Sequence, residues 1–139
     1  MAQPYQKKVL GFISALLITM SSLLSATTPL GISHEKPEEI YSPILGSYEF
    51  DMSVFGWGTV NIRFFVENGK LWTHSDMSNS PEIMLRVSDS TFEFMVEDPD
   101  EGRYDIIFKQ DEAGNYTQCQ IKNPIQDIDV VGIKQPPTP

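Results

Sequence analysis

The chain has 139 residues, with 10 Lys and Arg against 19 Asp and Glu, for a formal net charge of −9 at pH 7. That balance excludes a nucleic-acid partner, which needs clustered Lys and Arg to neutralise phosphates, and it disfavours adsorption to anionic lipid. The single cysteine, Cys119, excludes an internal disulfide, so an apolar core must hold the fold together.

Residues 1–26 read as a signal peptide. Lys7 and Lys8 form a positive start, residues 9–24 are an uncharged apolar run, and Ser25 and Ala26 supply a small-residue exit. The run falls short of the roughly 20 residues a membrane-spanning helix needs. The folded part is therefore expected outside the cytosol, in a periplasm or the extracellular space. Its only expected membrane contact is the signal segment itself, if uncleaved.

Residues 27–40 read as a flexible tether in which Pro37, Glu38 and Glu39 start one helical turn, stopped by Ser42 and Pro43. From Gly46 the hydrophobic period becomes two. Tyr48, Phe50 and Met52 alternate with Ser47, Glu49 and Asp51. Residues 59–67 put Val60, Ile62, Phe64 and Val66 on one face. Asn68-Gly69, suited to a two-residue hairpin, leads into residues 70–74. A strand over residues 82–87 is expected to turn Ile83, Leu85 and Val87 inward, and residues 91–96 carry Phe92, Phe94 and Val96. Past the Asp98–Gly102 turn, residues 103–109 offer Tyr104, Ile106 and Phe108. Residues 116–122 offer Thr117, Cys119 and Ile121, and residues 126–134 offer Ile128 and Val130. Residues 135–139, with three prolines, read as a disordered tail.

These signals predict an all-β fold: an eight-stranded antiparallel meander over residues 41–134 that closes into a small lipocalin-like barrel behind the N-terminal signal helix. Closure removes edge strands, and eight strands leave an interior that side chains fill or that holds one small ligand.

Few constellations point to chemistry. Ser33-His34-Glu35-Lys36 has S-x-x-K spacing but lies in the tether with no K-T-G or S-D-N segment, so it reads as a chance match and no catalytic residue is assigned. His34 and His74 read as solvated imidazoles, no metal ligands are expected, and no cofactor is implied. Asp98, Asp100 and Glu101 read as an acidic surface turn, since the twelve-residue calcium loop is missing. Asn115-Tyr116-Thr117 fits an N-glycosylation acceptor on a turn. Cys119, at an inward position, reads as a small core hydrophobe.

Three groups of aromatic and apolar residues remain. Phe55 and Trp57, set among Gly56 and Gly58, act either as a plug at a barrel corner or as a platform at its mouth. Phe64, Phe92, Phe94 and Phe108 line the expected interior, where a small apolar ligand would lie. Phe65, Trp72 and Met84 share outward parity and are expected either to contact a partner protein or a second copy, or to be covered by Ile40, Tyr41, Ile44 and Leu45.

The order of these signals resembles a known family. Gly46-Ser47-Tyr48-Glu49-Phe50, Val60 to Leu71 through Glu67-Asn68-Gly69-Lys70, Phe92, Tyr104-Asp105-Ile106-Ile107-Phe108 and Asp111 to Gly114 are similar to the small lipocalin-like barrel found C-terminal to serine β-lactamase-like and penicillin-binding-protein-like hydrolases. The resemblance implies a non-enzymatic accessory module that mediates oligomerisation or shapes access to a hydrolase. A carrier of a small apolar ligand is the alternative, and an undetected hydrolase a more distant one.

Overall fold

The computed structural model describes residues 35–138; the proposed signal segment lies outside the described residues, as do Ser33 and His34. Helix α1 (Pro37–Tyr41) starts on a proline whose ring presets φ, and Glu38 and Glu39 complement the positive end of its first turn. Nine strands follow: β1 (Gly46–Asp51), β2 (Thr59–Glu67), β3 (Lys70–Ser75), β4 (Glu82–Ile83), β5 (Leu85–Arg86), β6 (Glu93–Asp98), β7 (Gly102–Gln110), β8 (Tyr116–Asn123) and β9 (Ile128–Lys134). They form one antiparallel sheet in the order β4-β3-β2-β1-β9-β8-β7-β6-β5.

The two outer members of that sheet, β4 and β5, are separated in sequence by Met84 alone. The strand expected over residues 82–87 is thus present but shared. Its first half pairs with β3 (Trp72↔Ile83, Thr73↔Glu82) and its second half with β6 (Leu85↔Met95, Arg86↔Phe94). One short strand hands over from one edge of the sheet to the other, and the meander becomes a nearly closed barrel. Eight expected strands and nine observed ones describe the same closure.

Alternation places the core as the sequence pattern predicts on seven of the eight segments. Tyr48, Phe50, Val60, Ile62, Phe64, Phe94, Val96, Tyr104, Ile106, Phe108, Cys119, Ile121 and Ile128 are all buried. Each large apolar side chain so buried contributes about 1.5–3 kcal/mol relative to exposure. The β2–β3 turn has Asn68 and Gly69 at φ 52° and 74°, the two left-handed positions that such a turn requires.

The closing strand reverses the expected parity. Glu82 and Met84 face the core, whereas Leu85 is 45% and Val87 47% exposed. The cause is register: Ile83 pairs with Trp72, which faces outward, so its neighbours Glu82 and Met84 must face inward. Met84 therefore does not belong to the outer surface proposed for it. The outward cross-strand row is Phe65–Trp72–Ile83.

Helix α1 lies against β2 and β3 and closes one end of the barrel. Tyr41 meets Phe92 and Phe94 at ring centroid distances of 6.3 and 5.9 Å, and Phe92 meets Tyr116 at 5.1 Å. The residues expected to cover the outer row, Ile44 and Tyr41 among them, instead pack onto the core.

Candidate functional site at the polar end of the barrel

The opposite end gathers the β1–β2, β3–β4, β6–β7 and β8–β9 connections. Residues 52–58 reverse direction through a 3-10 turn at Ser53–Phe55, with Gly56 and Gly58 in left-handed conformations (φ 76° and 67°). Asp51 Oδ1 accepts from the Ser53 N–H and hydroxyl, and these bonds hold its carboxyl below the usual carboxylate range. Met52 N donates to Gly58 O at 2.8 Å and Trp57 N to Met52 O at 3.2 Å. The bend so fixed stacks Phe55 on Trp57 (5.0 Å between centroids, 27° between planes) and packs both partly into the core. Trp57 Nε1 is buried and finds no hydrogen-bond acceptor.

The barrel wall at this end carries polar groups on its inner face. Thr73 and Ser75 follow Leu71 inward along β3, and Thr73 is directly opposite Glu82. Asp98 ends β6 with its side chain inward. Thr73, Glu82 and Asp98 are 1%, 2% and 4% exposed. Ser75 Oγ accepts from Met77 N at 3.1 Å, but Thr73 Oγ1 has no partner. Asp98 Oδ1 accepts from the N–H groups of Asp100 and Glu101 at 2.7 and 2.8 Å, which shapes the β6–β7 turn; Asp98 Oδ2 is buried without a partner. Asp98 is thus an interior group and not part of a solvated acidic turn.

A second polar cluster supports the first. Tyr104 Oη donates to Glu101 Oε2 at 2.6 Å, Asn123 Nδ2 donates to Glu101 O at 2.9 Å, and Asn123 Oδ1 accepts from Ile125 N and Gln126 N. Burial pushes the Tyr104 phenol well above its ordinary range, and the neighbouring Glu101 and Asp98 carboxylates push it further in the same direction.

The residues singled out in the sequence fall into separate places. Phe108 meets Phe64 and Phe94 edge to face at 4.9 and 5.9 Å, with Tyr48 at 5.3 and 5.6 Å from Phe64 and Phe108, so these rings fill the middle of the barrel with one another. Phe92 belongs to the α1 end, where the Arg86 guanidinium lies 5.1 Å from its ring. Phe55 and Trp57 stand at the polar end. On the outside, Phe65 and Trp72 are half-buried neighbours. Arg63 lies over the Phe65 ring at 4.6 Å, and Trp72 Nε1 donates to Glu67 O at 3.1 Å. His74 is half-buried, with Nε2 3.3 Å from Ser78 O. Cys119 is fully buried and its thiol pKa is pushed up by desolvation.

Sequence reasoning passed over Thr73, Ser75 and Glu82, and read Asp98 as part of an acidic surface turn. The available signal was two short polar residues alternating with Leu71 on the inward face of β3, which leaves a gap in the apolar lining. A scan against protein-family models finds no match for the chain, and searches of curated proteins and of solved structures also find none.

Proposed function

We propose that this chain is an exported, non-enzymatic binding module that takes a small ligand into the polar end of its barrel. One observation carries the reading. Trp57 Nε1 in the β1–β2 connection, Thr73 Oγ1 on β3 and Asp98 Oδ2 at the end of β6 are buried with no hydrogen-bond partner. Buried polar groups in folded proteins are almost always satisfied, and each orphan costs about 1–3 kcal/mol. A bound molecule carrying both a donor and an acceptor meets the need, in a wall otherwise apolar enough to exclude bulk water.

The rings of Phe64, Phe94 and Phe108 set the inner floor of this site, which moves the ligand from the apolar middle of the barrel to its polar end. Export rests on Lys7, Lys8 and the uncharged run over residues 9–24. The test is native mass spectrometry and calorimetry of the full chain against a panel of small polar and amphiphilic molecules. A one-to-one adduct weakened by Thr73→Val and by Trp57→Phe is expected. Failure of every compound to bind would leave ordered water as the occupant and end the reading.

The outward row Phe65–Trp72–Ile83 favours a second reading, contact with a protein partner. The resemblance of the strand and hairpin order to the accessory barrels of serine hydrolases suggests the class of partner for that face.

A further inference from the structure

Strands β7 and β9 are apolar at both parities. In β7, Ile106 and Phe108 are buried, so Ile107 between them points outward. In β9, Gly132 is buried against Phe50, so Val131 and Ile133 point outward. The neighbouring β1 and β2 differ, with Ser47, Glu49 and Asp51, and Thr59, Asn61 and Arg63, at their outward positions. Apolar side chains at both parities belong to strands covered on both faces. The core covers the inner face here, whereas Val131 and Ile133 remain 43% and 50% exposed.

Register joins these residues into one surface. Ile107 pairs with Gln120 and Gln120 with Val131, and Ile133 is the next outward residue of β9. On the other side Ile107 pairs with Glu93, and Met95, the next outward residue of β6, pairs with Leu85. Side chains directly opposite on one face stand about 5 Å apart, and diagonal ones about 7–8 Å. Leu85, Met95, Ile107, Val131 and Ile133 therefore form one band on the outside of β5 to β9, with Gln120 bridging Ile107 and Val131.

Charge decides what covers this band. The formal charge of −9 opposes contact between copies through most of the surface. The outward positions of β6 to β9 are different: four acids (Glu93, Glu97, Asp105 and Asp129) stand among three bases (Arg103, Lys109 and Lys122). Opposite signs interspersed around an apolar centre suit a surface that meets itself. A strongly basic partner finds little complement there.

We infer that the outer face of β6 to β9 binds the same face of a second copy, in a two-fold dimer of stacked sheets. With the axis along the central row, Ile107, Gln120 and Val131 each meet their own counterpart, across the roughly 10 Å that separates stacked sheets. Asp105 and Lys109 are the outward residues of β7 on either side of Ile107. The axis exchanges these two positions, so Lys109 of each copy faces Asp105 of the other. Gln120 Nε2 donates to Asp129 Oδ1 at 2.7 Å, which leaves its second N–H and its carbonyl oxygen for the facing Gln120. The contact is independent of any ligand at the polar end, and it uses a different part of the wall from Phe65 and Trp72.

Sedimentation of the full chain tests this in roughly 0.15 M salt, from about 1 µM to 1 mM protein. A monomer–dimer equilibrium is expected. Ile107→Thr with Val131→Thr keeps β-branched residues in both strands and should raise the dimer dissociation constant at least about tenfold, with the circular dichroism of the sheet unchanged. Lys109→Glu should also weaken the dimer, and adding Asp105→Lys should restore it, because reversing both charges rebuilds the pair. Phe65→Ser with Trp72→Ser should leave the dimer intact. A monomer at every concentration would overturn the inference and leave the band to a different protein. So would a dimer indifferent to Ile107 and Val131, or one lost on changing Phe65 and Trp72. Failure of Asp105→Lys to rescue Lys109→Glu would overturn the stacked arrangement.

Discussion

Gly132 lies directly opposite Phe50 across the β1/β9 pair, and the Phe50 ring occupies the space that a β-carbon on Gly132 would need. Such a carbon would stand 2.5 Å from Phe50 Cζ. The glycine faces inward, so it is the absence of a side chain in β9 that allows a Phe in β1 to turn across the core. Gly132→Ala should therefore destabilise the barrel by about 1–3 kcal/mol through overpacking. The loss should be read from urea midpoints, and Phe50→Leu in the same chain should recover part of it. Full wild-type stability for Gly132→Ala alone would contradict the packing described.

Asn123 is wholly buried and spends its amide on three backbone groups: Glu101 O, Ile125 N and Gln126 N. It ties the β8–β9 turn to the β6–β7 turn beside the proposed site. Asn123→Ala leaves those groups without their partner and should cost about 2–4 kcal/mol, from roughly 1 kcal/mol per lost bond plus a cavity. Asn123→Asp keeps the acceptor but sets a buried carboxylate against Glu101 O, and should cost at least as much at neutral pH. Thermal melts of the two variants provide the comparison.

The closing strand makes a sharp distinction between adjacent residues. Met84 is buried at 5% exposure, while Ile83 is half-buried on the outside. Met84→Ala should cost about 2–5 kcal/mol, and Ile83→Ala clearly less. Equal effects, or the reverse order, would restore the opposite parity for this strand.

The outer row gives a separate test of protein contact. Phe65→Ser combined with Trp72→Ser removes two large half-buried rings that are register partners across β2 and β3. If this face contacts a second copy or a partner, sedimentation of the full chain or co-purification with an exported serine hydrolase should change. A monomer that behaves identically with and without the two rings would eliminate the surface.

Alkaline pH should unfold the protein. Tyr48, Tyr104 and Cys119 are all raised in pKa by desolvation on folding, with Tyr104 raised further by Glu101. In the unfolded chain they titrate near their ordinary values, about 10 for the phenols and 8.5 for the thiol. Above those values the unfolded state releases protons that the folded state retains. Stability is therefore complete below about pH 8 and falls as pH rises through and beyond the ordinary values toward the raised folded ones. Urea midpoints should drop steeply between roughly pH 8 and pH 11, with phenolate absorbance from the buried tyrosines appearing only as the chain unfolds. A flat profile would mean these groups are not buried as described.

Much of the barrel was legible in the sequence because it depends on local chemistry. Tyr48 and Phe50, Ile62 and Phe64, and Tyr104 and Ile106 are each separated by one polar residue. A two-residue period has only one way to bury such a set. Asn68-Gly69 gives a hairpin because two left-handed residues in succession suit few other dipeptides. The closing strand was not legible in the same way. Residues 82–87 alternate apolar side chains at both parities, with Ile83, Leu85 and Val87 against Met84, so pattern alone chose the wrong face.

What the amino-acid sequence determined by itself was the backbone habit of each segment: where strands run, where they turn, and that a single apolar core without a disulfide must hold them. Tertiary structure decided which face of residues 82–86 is inside, because that depends on pairing with Trp72 and Thr73 on one side and with Phe94 and Met95 on the other. It also decided that Asp98, which the sequence reads as part of an acidic turn, is buried, and that Glu82 faces the core opposite Thr73. Those relationships join residues distant in sequence, and no local periodicity encodes a register set by a neighbouring strand.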